Sequence, residues 1–232
     1  MEPFDPLELA KQTERIVCQG DRRKYTEFYA TGVYGGIATG YACGCCLRCI
    51  FCWADLSREF PESYGRFYSP KQVYKELRGV AQRHHLDKAR ISGAEPTLGR
   101  GHLIPLLRLV EESPFSLFIL ETNGILFGPD PTYIQEVSRF KKVHTRISLK
   151  AGTPEGFRKR MRAKPEAFIL PFQAIQSFLR QGGEFPCRFH ECGSEVHGWR
   201  GKGRPPPSAE GDRSPAAQAL GRGGGEKAEG TG

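Results

Sequence analysis

At 232 residues, 38% apolar and 26% charged, the chain has the make-up of a globular protein with one sizeable core and a tail. Its acidic-then-polar start excludes a secretory signal, and no run approaches the ~18 apolar residues of a membrane helix, so a cytoplasmic protein without membrane contact is expected. The net charge of +8 raises nucleic acid as a partner, but the cluster Arg158, Lys159, Arg160 and Arg162 reads as a solvated helix face, and nucleic acid is not expected.

Residues 1–30 read as an N-terminal helical extension with Leu7, Leu9, Ala10 and Ile16 as apolar anchors. Residues 34–41 form a first strand running into a cysteine-rich loop. Ser69-Pro70 caps a helix whose inward stripe is Val73, Leu77, Val80 and Ala81. A short strand over 89–92 follows, then a helix carrying Leu103, Leu106, Leu107 and Val110, then a buried strand over 115–120 stopped by Asn123-Gly124. Asp130-Pro131 opens a third helix, 143–149 is a strand, and Thr153-Pro154 opens another helix. A last helix carries Phe168, Phe172, Ile175 and Leu179 on one face, with Pro171 breaking it near residue 170. Strands alternating with helices give an α/β fold with a parallel sheet. From residue 184 to 232 the only branched aliphatics are Val196 and Leu220, and that composition predicts a disordered tail.

The chemistry is concentrated in CGCCLRCIFCWAD (residues 43–55), with five of the eight cysteines. In an intracellular chain such thiols point to metal or redox duties. Structural zinc needs two separated ligand pairs, and the only other close pair, Cys187 and Cys192 with His190 and His197 nearby, lies in the tail. A ferredoxin needs a fourth cysteine, yet none follows Cys52 before residue 187. A cluster held here has three protein ligands and one open iron, which suits catalysis better than electron carriage. Two triplets are open, Cys46-Cys49-Cys52 and Cys45-Cys49-Cys52. His84, His85, His102 and His144 carry no motif.

The second triplet, with Phe51 before its last cysteine, resembles the radical S-adenosylmethionine (radical SAM) superfamily. Ser92-Gly93-Ala94-Glu95-Pro96-Thr97 resembles that family's Gly-Gly-Glu-Pro motif, with Ala94 in place of the second glycine. Glu121-Thr122-Asn123-Gly124 is similar to the Asp-Thr-Asn-Gly of its activating enzymes, and Ser148-Leu149-Lys150 ends the next strand. The resemblance implies a TIM-like (β/α)6 barrel with its site at the strand C-termini. It also implies a [4Fe–4S] cluster on Cys45, Cys49 and Cys52, with Cys43 and Cys46 as bystanders. S-adenosylmethionine (SAM) would lie against Phe51, Gly93, Ala94, Glu95, Pro96, Thr122, Asn123, Ser148 and Lys150, with Arg146 a further cation for its carboxylate. Reductive cleavage of SAM to a 5′-deoxyadenosyl radical follows, with hydrogen abstraction from a substrate that the sequence does not name; a protein, as in glycyl-radical activation, is one option. The electron donor would be of the ferredoxin or flavodoxin type. An iron–sulfur electron carrier or scaffold is the alternative, and a zinc protein binding nucleic acid a third.

Six β/α units need ~190 residues on the scale of ~250 for eight, whereas residues 34–183 supply about 150. The expectation is therefore a partial barrel over 31–183, incomplete at its C-terminal end, with a frameshifted or truncated tail and with activity in doubt.

Overall fold

The computed structural model describes residues 2–181 and the backbone of residues 188–191. Among the described residues eight strands make one sheet: β1 (Cys18–Gln19), β2 (Arg22–Thr31), β3 (Ile37–Ala42), β4 (Arg66–Tyr68), β5 (Lys88–Ser92), β6 (Leu117–Thr122), β7 (Val143–Leu149) and β8 (Arg188–Glu191). The run β3-β5-β6-β7-β8 is parallel, while β1, β2 and β4 form an antiparallel flank. Helix α1 (Pro6–Val17) precedes the sheet and α2 (Asp55–Glu59) follows β3. Then α3 (Pro70–Arg83), α4 (Arg100–Glu111) and α5 (Pro131–Val137) each join one parallel strand to the next, and α6 (Pro154–Met161) and α7 (Leu170–Arg180) follow β7. This is a mixed α/β fold with a curled sheet, a partial TIM-like barrel.

Local chemistry sets the helix starts. The side chain of Ser69 accepts from the amide of Gln72, whose own side chain accepts from the amide of Ser69, a reciprocal cap for α3. Asp130 and Thr153 cap α5 and α6 one-sidedly, their side chains accepting from first-turn amides, and each is followed by proline at the first turn.

Alternation along the strands gives the sheet two unlike faces. Ala38, Ala42, Ala89, Ile91, Phe118, Leu120, Val143 and Ile147 pack outward on the helices, joining Leu77, Leu107 and Phe178 in the main core. The other face carries Thr39, Arg90, Glu121 and Arg146. Arg90 donates to Thr39 at 3.0 Å and to Glu121 at 3.4 Å, and Arg146 donates to Glu121 at 3.3 Å. Barrel interiors are ordinarily filled with branched apolar side chains. Here charge and hydroxyl groups line the concave side, and Tyr34, held in the left-handed region (φ 55°), sets its ring against the guanidinium groups of both Arg90 and Arg146.

Several sequence expectations need correction. Only residues 6–17 of the N-terminal segment are helical; residues 22–31 form β2, because the aromatic and β-branched run after Arg22 pairs with β3. The first strand begins at Ile37, since Tyr34 lies in a 3₁₀ turn over Val33–Gly35. The strand expected at 115–120 runs from Leu117 to Thr122. The final segment does break at residue 170, into a 3₁₀ turn (Pro165–Ile169) and α7, but its buried stripe is Pro171, Ala174 and Phe178, with Leu179 at 63% exposure. In the stretch expected to be disordered, the backbone of β8 pairs in parallel with β7; the rest of 184–232, with Cys187, Cys192 and His197, lies outside the described residues. Among the described residues no helix is long and apolar enough to cross a membrane.

His102, which carries no motif, is a core residue of α4. Its Nε2 lies 3.0 Å from the Tyr25 hydroxyl and its Nδ1 2.7 Å from the Asp21 carbonyl, an arrangement that fits a neutral ring donating to Asp21 and accepting from Tyr25. Burial pulls its pKa down to about 4 from the ordinary 6.5. An unfolded chain therefore takes up a proton between these values that the fold refuses. The stabilisation, up to about 3 kcal/mol, is complete above pH 6.5 and is lost as pH falls towards 4. Urea unfolding at pH 7 and pH 4.5 will show a steeper loss of stability for the native protein than for His102→Gln, by close to one proton's slope.

Candidate active site

The cysteine loop spans the gap between β3 and α2. Its first turn depends on Gly44, whose φ of +79° suits glycine and whose added Cβ would stand 2.6 Å from Thr13 and 2.8 Å from Val17 of α1. The amide of Cys43 donates to the Lys24 carbonyl, that of Gly44 to Ser57 and that of Ile50 to Arg160, so β2, α2 and α6 each hold one point of the loop. Leu47 is fully buried beside Leu98, Ile125, Phe157 and Met161 in a second, smaller core beneath it. Arg23 reaches up from β2, almost fully buried, and donates to the carbonyls of Cys43 (3.1 Å), Glu95 (2.8 Å) and Leu98.

With the loop so held, the five cysteines are not equivalent. Cys45, Cys49 and Cys52 line a cavity of about 390 Å³ at the C-terminal ends of the parallel strands. Cys43 is sealed in the interior, with its thiol towards the Tyr64 carbonyl. Cys46 is fully buried and off the cavity, 3.3 Å from Asn123 Nδ2. Burial pushes the Cys49 thiol up to about 12 and raises that of Cys52, while a hydrogen bond from the Cys46 thiol lowers that of Cys45. Metals take sulfur as thiolate, so loading Cys49 and Cys52 displaces protons. Among the described residues no three His, Cys, Asp or Glu side chains converge on one ion.

Across the cavity stand Gly93, Ala94, Glu95, Thr122, Asn123, Ser148 and Lys150, with Phe51 on the cysteine side. Pro96 is buried outside the lining. Gly93 presents only backbone there, at φ +87°, where a Cβ would come within 3.1 Å of the Ala42 carbonyl. The Glu95 carboxylate faces inward to the protein. Its Oε1 accepts from the Thr97 and Thr122 hydroxyls, both at 2.6 Å, and from the Thr97 amide at 3.2 Å; its Oε2 accepts from the Asn123 amide at 2.8 Å. Lys150 donates to the Ser148 hydroxyl at 2.9 Å and has no ion pair with a carboxylate among the described residues. Arg146, the other cation, is engaged by Glu121 and Tyr34.

Three lining residues were not singled out as site residues from the sequence, Trp53, Ser92 and Glu121, while Arg146 was named only as a further cation beside Lys150. Ser92, Glu121 and Arg146 all occupy concave-face positions of neighbouring strands, a period-two signal that could have found them once the strand faces were assigned. Replacing Glu95 by Gln puts a donor where four donors converge. Unfolding free energy, measured in denaturant, will fall by about 2 kcal/mol, the usual worth of bonds to a charged group.

The family described as the Radical SAM superfamily matches residues 41–184, well over half of the chain. No curated protein matches. Among solved structures, that of Streptococcus suis SuiB bound to S-adenosylmethionine matches with a TM-score of 0.49 and 20% identity, over 66% of this chain and 30% of that one. The chain thus spans about 30% of that protein's length. With the family match taking in the cysteine loop and every strand from β5 to β7, the chain belongs to the radical SAM superfamily.

Proposed function

We propose that this chain is a radical SAM enzyme in which Cys45, Cys49 and Cys52 hold a [4Fe–4S] cluster and the opposite wall binds SAM. The observation that carries this reading is the selection of three thiols from five onto one cavity, facing a wall of small, polar and cationic groups. The donor set fits the group. Thiolates suit iron–sulfur chemistry, and a cluster takes one thiolate per iron, so its cysteines have no need to converge on one point as ligands of a single ion must. When bound, the cluster and SAM supply a one-electron cleavage of the sulfonium bond to methionine and a 5′-deoxyadenosyl radical, which takes hydrogen from a substrate.

The protein's share is binding, orientation and exclusion of water. Gly93 and Ala94 let a ligand approach the backbone closely and offer carbonyl acceptors for an ammonium. Glu95 serves by fixing Thr122 and Asn123 rather than by direct contact, since its oxygens are already engaged. Lys150 is the cation for a carboxylate, with Ser148 and Thr122 as hydroxyl partners and Phe51 as an apolar flank. The working unit is the partial barrel assigned to residues 31–183, completed by α1 and β2 from the N-terminal segment. An external one-electron donor of the ferredoxin or flavodoxin type serves this reaction.

Anaerobic reconstitution with iron and sulfide, followed by dithionite and SAM, tests the reading through formation of 5′-deoxyadenosine. Alanine at Cys45, Cys49 or Cys52 will abolish both cluster absorbance and product, whereas Cys46→Ala will retain them. Product that depends on Cys46 and not Cys45 overturns the ligand assignment; a stable cluster yielding no product overturns the enzymatic reading in favour of an electron carrier. Lys150→Ala will raise the SAM dissociation constant about tenfold, the equivalent of ~1.4 kcal/mol, in equilibrium binding to the reconstituted protein.

A further inference from the structure

Two arginines and one glutamate form a clasp on the cysteine loop that the assignment above leaves without a role. Arg58, in α2, donates from Nη1 to the Cys49 carbonyl at 2.7 Å and from Nη2 to Glu59 Oε1 at 2.8 Å. Arg48, within the loop, donates from Nη1 to the carbonyls of Cys45 (3.0 Å) and Leu47 (3.3 Å), and its Nε meets Glu59 Oε2 at 2.9 Å. One carboxylate therefore ties together two guanidinium groups, each of which grips the backbone of a cavity-lining cysteine. The side chain of Arg58 is 10% exposed and that of Glu59 39%. Among the described residues the Nε of Arg58 is buried without a partner, so its guanidinium is not satisfied by the loop alone.

For holding a loop still, neutral groups would serve. A buried guanidinium is costly to desolvate, and only partly compensated here, so its presence calls for a second role. The three side chains sum to one net positive charge, and the least exposed member lies against Cys49. A positive charge held in a low-dielectric site favours the state with one more electron, and iron–sulfur potentials respond to local charge and exposure.

We infer that the Arg58–Glu59–Arg48 clasp is a positioning and charge-tuning device for the cluster: it fixes the carbonyls of Cys45 and Cys49 and raises the cluster's midpoint potential. This inference rests on the cluster assignment. In the one-electron step concerned, the oxidised cluster accepts an electron from a reductant such as dithionite, with no bond formed or broken. The sign of the effect follows from charge. Arg58→Met takes the clasp from +1 to neutral and lowers the potential, whereas Glu59→Gln takes it to +2 and raises the potential. A merely structural role has no reason to move the two in opposite directions.

The test is an EPR-monitored redox titration of the reconstituted full-length protein and three variants, without SAM. Arg58→Met is expected to lower the midpoint by at least 59 mV, a tenfold change in the one-electron equilibrium. Glu59→Gln raises it, by about threefold in the same equilibrium because that site is partly solvated. Arg58→Lys, which keeps the charge, stays close to the native value. Shifts of the same sign in Arg58→Met and Glu59→Gln, or no shift in either, overturn the inference. Should Arg58→Met fail to load a cluster, Glu59→Gln decides alone: a potential that is unchanged or lower overturns it. Failure of the native chain itself to form a [4Fe–4S] cluster strikes instead at the function proposed above, and iron and sulfide analysis before each titration separates the two results.

Discussion

The carboxylate of Glu95 is the constraint on which the rest of the site depends. An ionised group at 2% exposure costs several kcal/mol unless its lone pairs are used, and here four donors use them. Two come from its own loop after β5 and two from the end of β6, so one side chain welds the ends of neighbouring parallel strands. The weld also fixes direction. With its amide on Glu95, Asn123 sends Nδ2 towards Cys46 at 3.3 Å and Cys45 at 3.7 Å and accepts from the Ile125 amide. A buried carboxylate in the loop after one strand thereby orients an amide at the end of the next, and that amide stands against the cysteine loop.

The loop meets this weld from the other side. Arg23 donates to the carbonyl of Glu95 and to that of Cys43, so a buried cation spans the motif loop and the cysteine loop, with no ion pair among the described residues. The cost of burying it is offset in part by its bonds to these carbonyls and to that of Leu98. Gly44, pressed against α1, and Leu47, anchored in the smaller core, then fix which way each later residue turns. The outcome is chemical selection: two cysteines point into protein and three into the cavity.

How much of this was legible beforehand can be judged from particular residues. Helices with a proline at the first turn and a capping side chain were readable almost to the residue, as at Pro70, Pro131 and Pro154, because capping is local chemistry. The strand over 143–149 was equally plain from its alternation. β2 was missed because its charged residues mask a strand whose burial is decided by partners on both sides, β3 and β4. The final helix was placed one step around its axis because Pro171, Ala174 and Phe178 pack inward, a choice that depends on the neighbouring α5. Within the site, spacing alone left two thiol triplets open, and it was the family resemblance that singled out Cys45, Cys49 and Cys52, the three that line the cavity. The inward engagement of Glu95, the reach of Arg23 and the burial of His102 were not legible, since each is a contact between segments more than 25 residues apart.

The concave face continues the polar character of the cavity. Arg90, Glu121 and Arg146 sit on adjacent parallel strands and bond to one another instead of packing as an apolar plug, which leaves a wettable surface next to the thiols. Under the proposed assignment, the three thiolates of Cys45, Cys49 and Cys52 would leave one iron of a [4Fe–4S] cluster for SAM. The most direct measurement is electron–nuclear double resonance on the reduced, reconstituted protein with SAM labelled by ¹⁵N at its amino group. A ¹⁵N hyperfine coupling that disappears with unlabelled SAM is the predicted result. A reduced cluster whose spectrum is indifferent to SAM and shows no ¹⁵N coupling would contradict it.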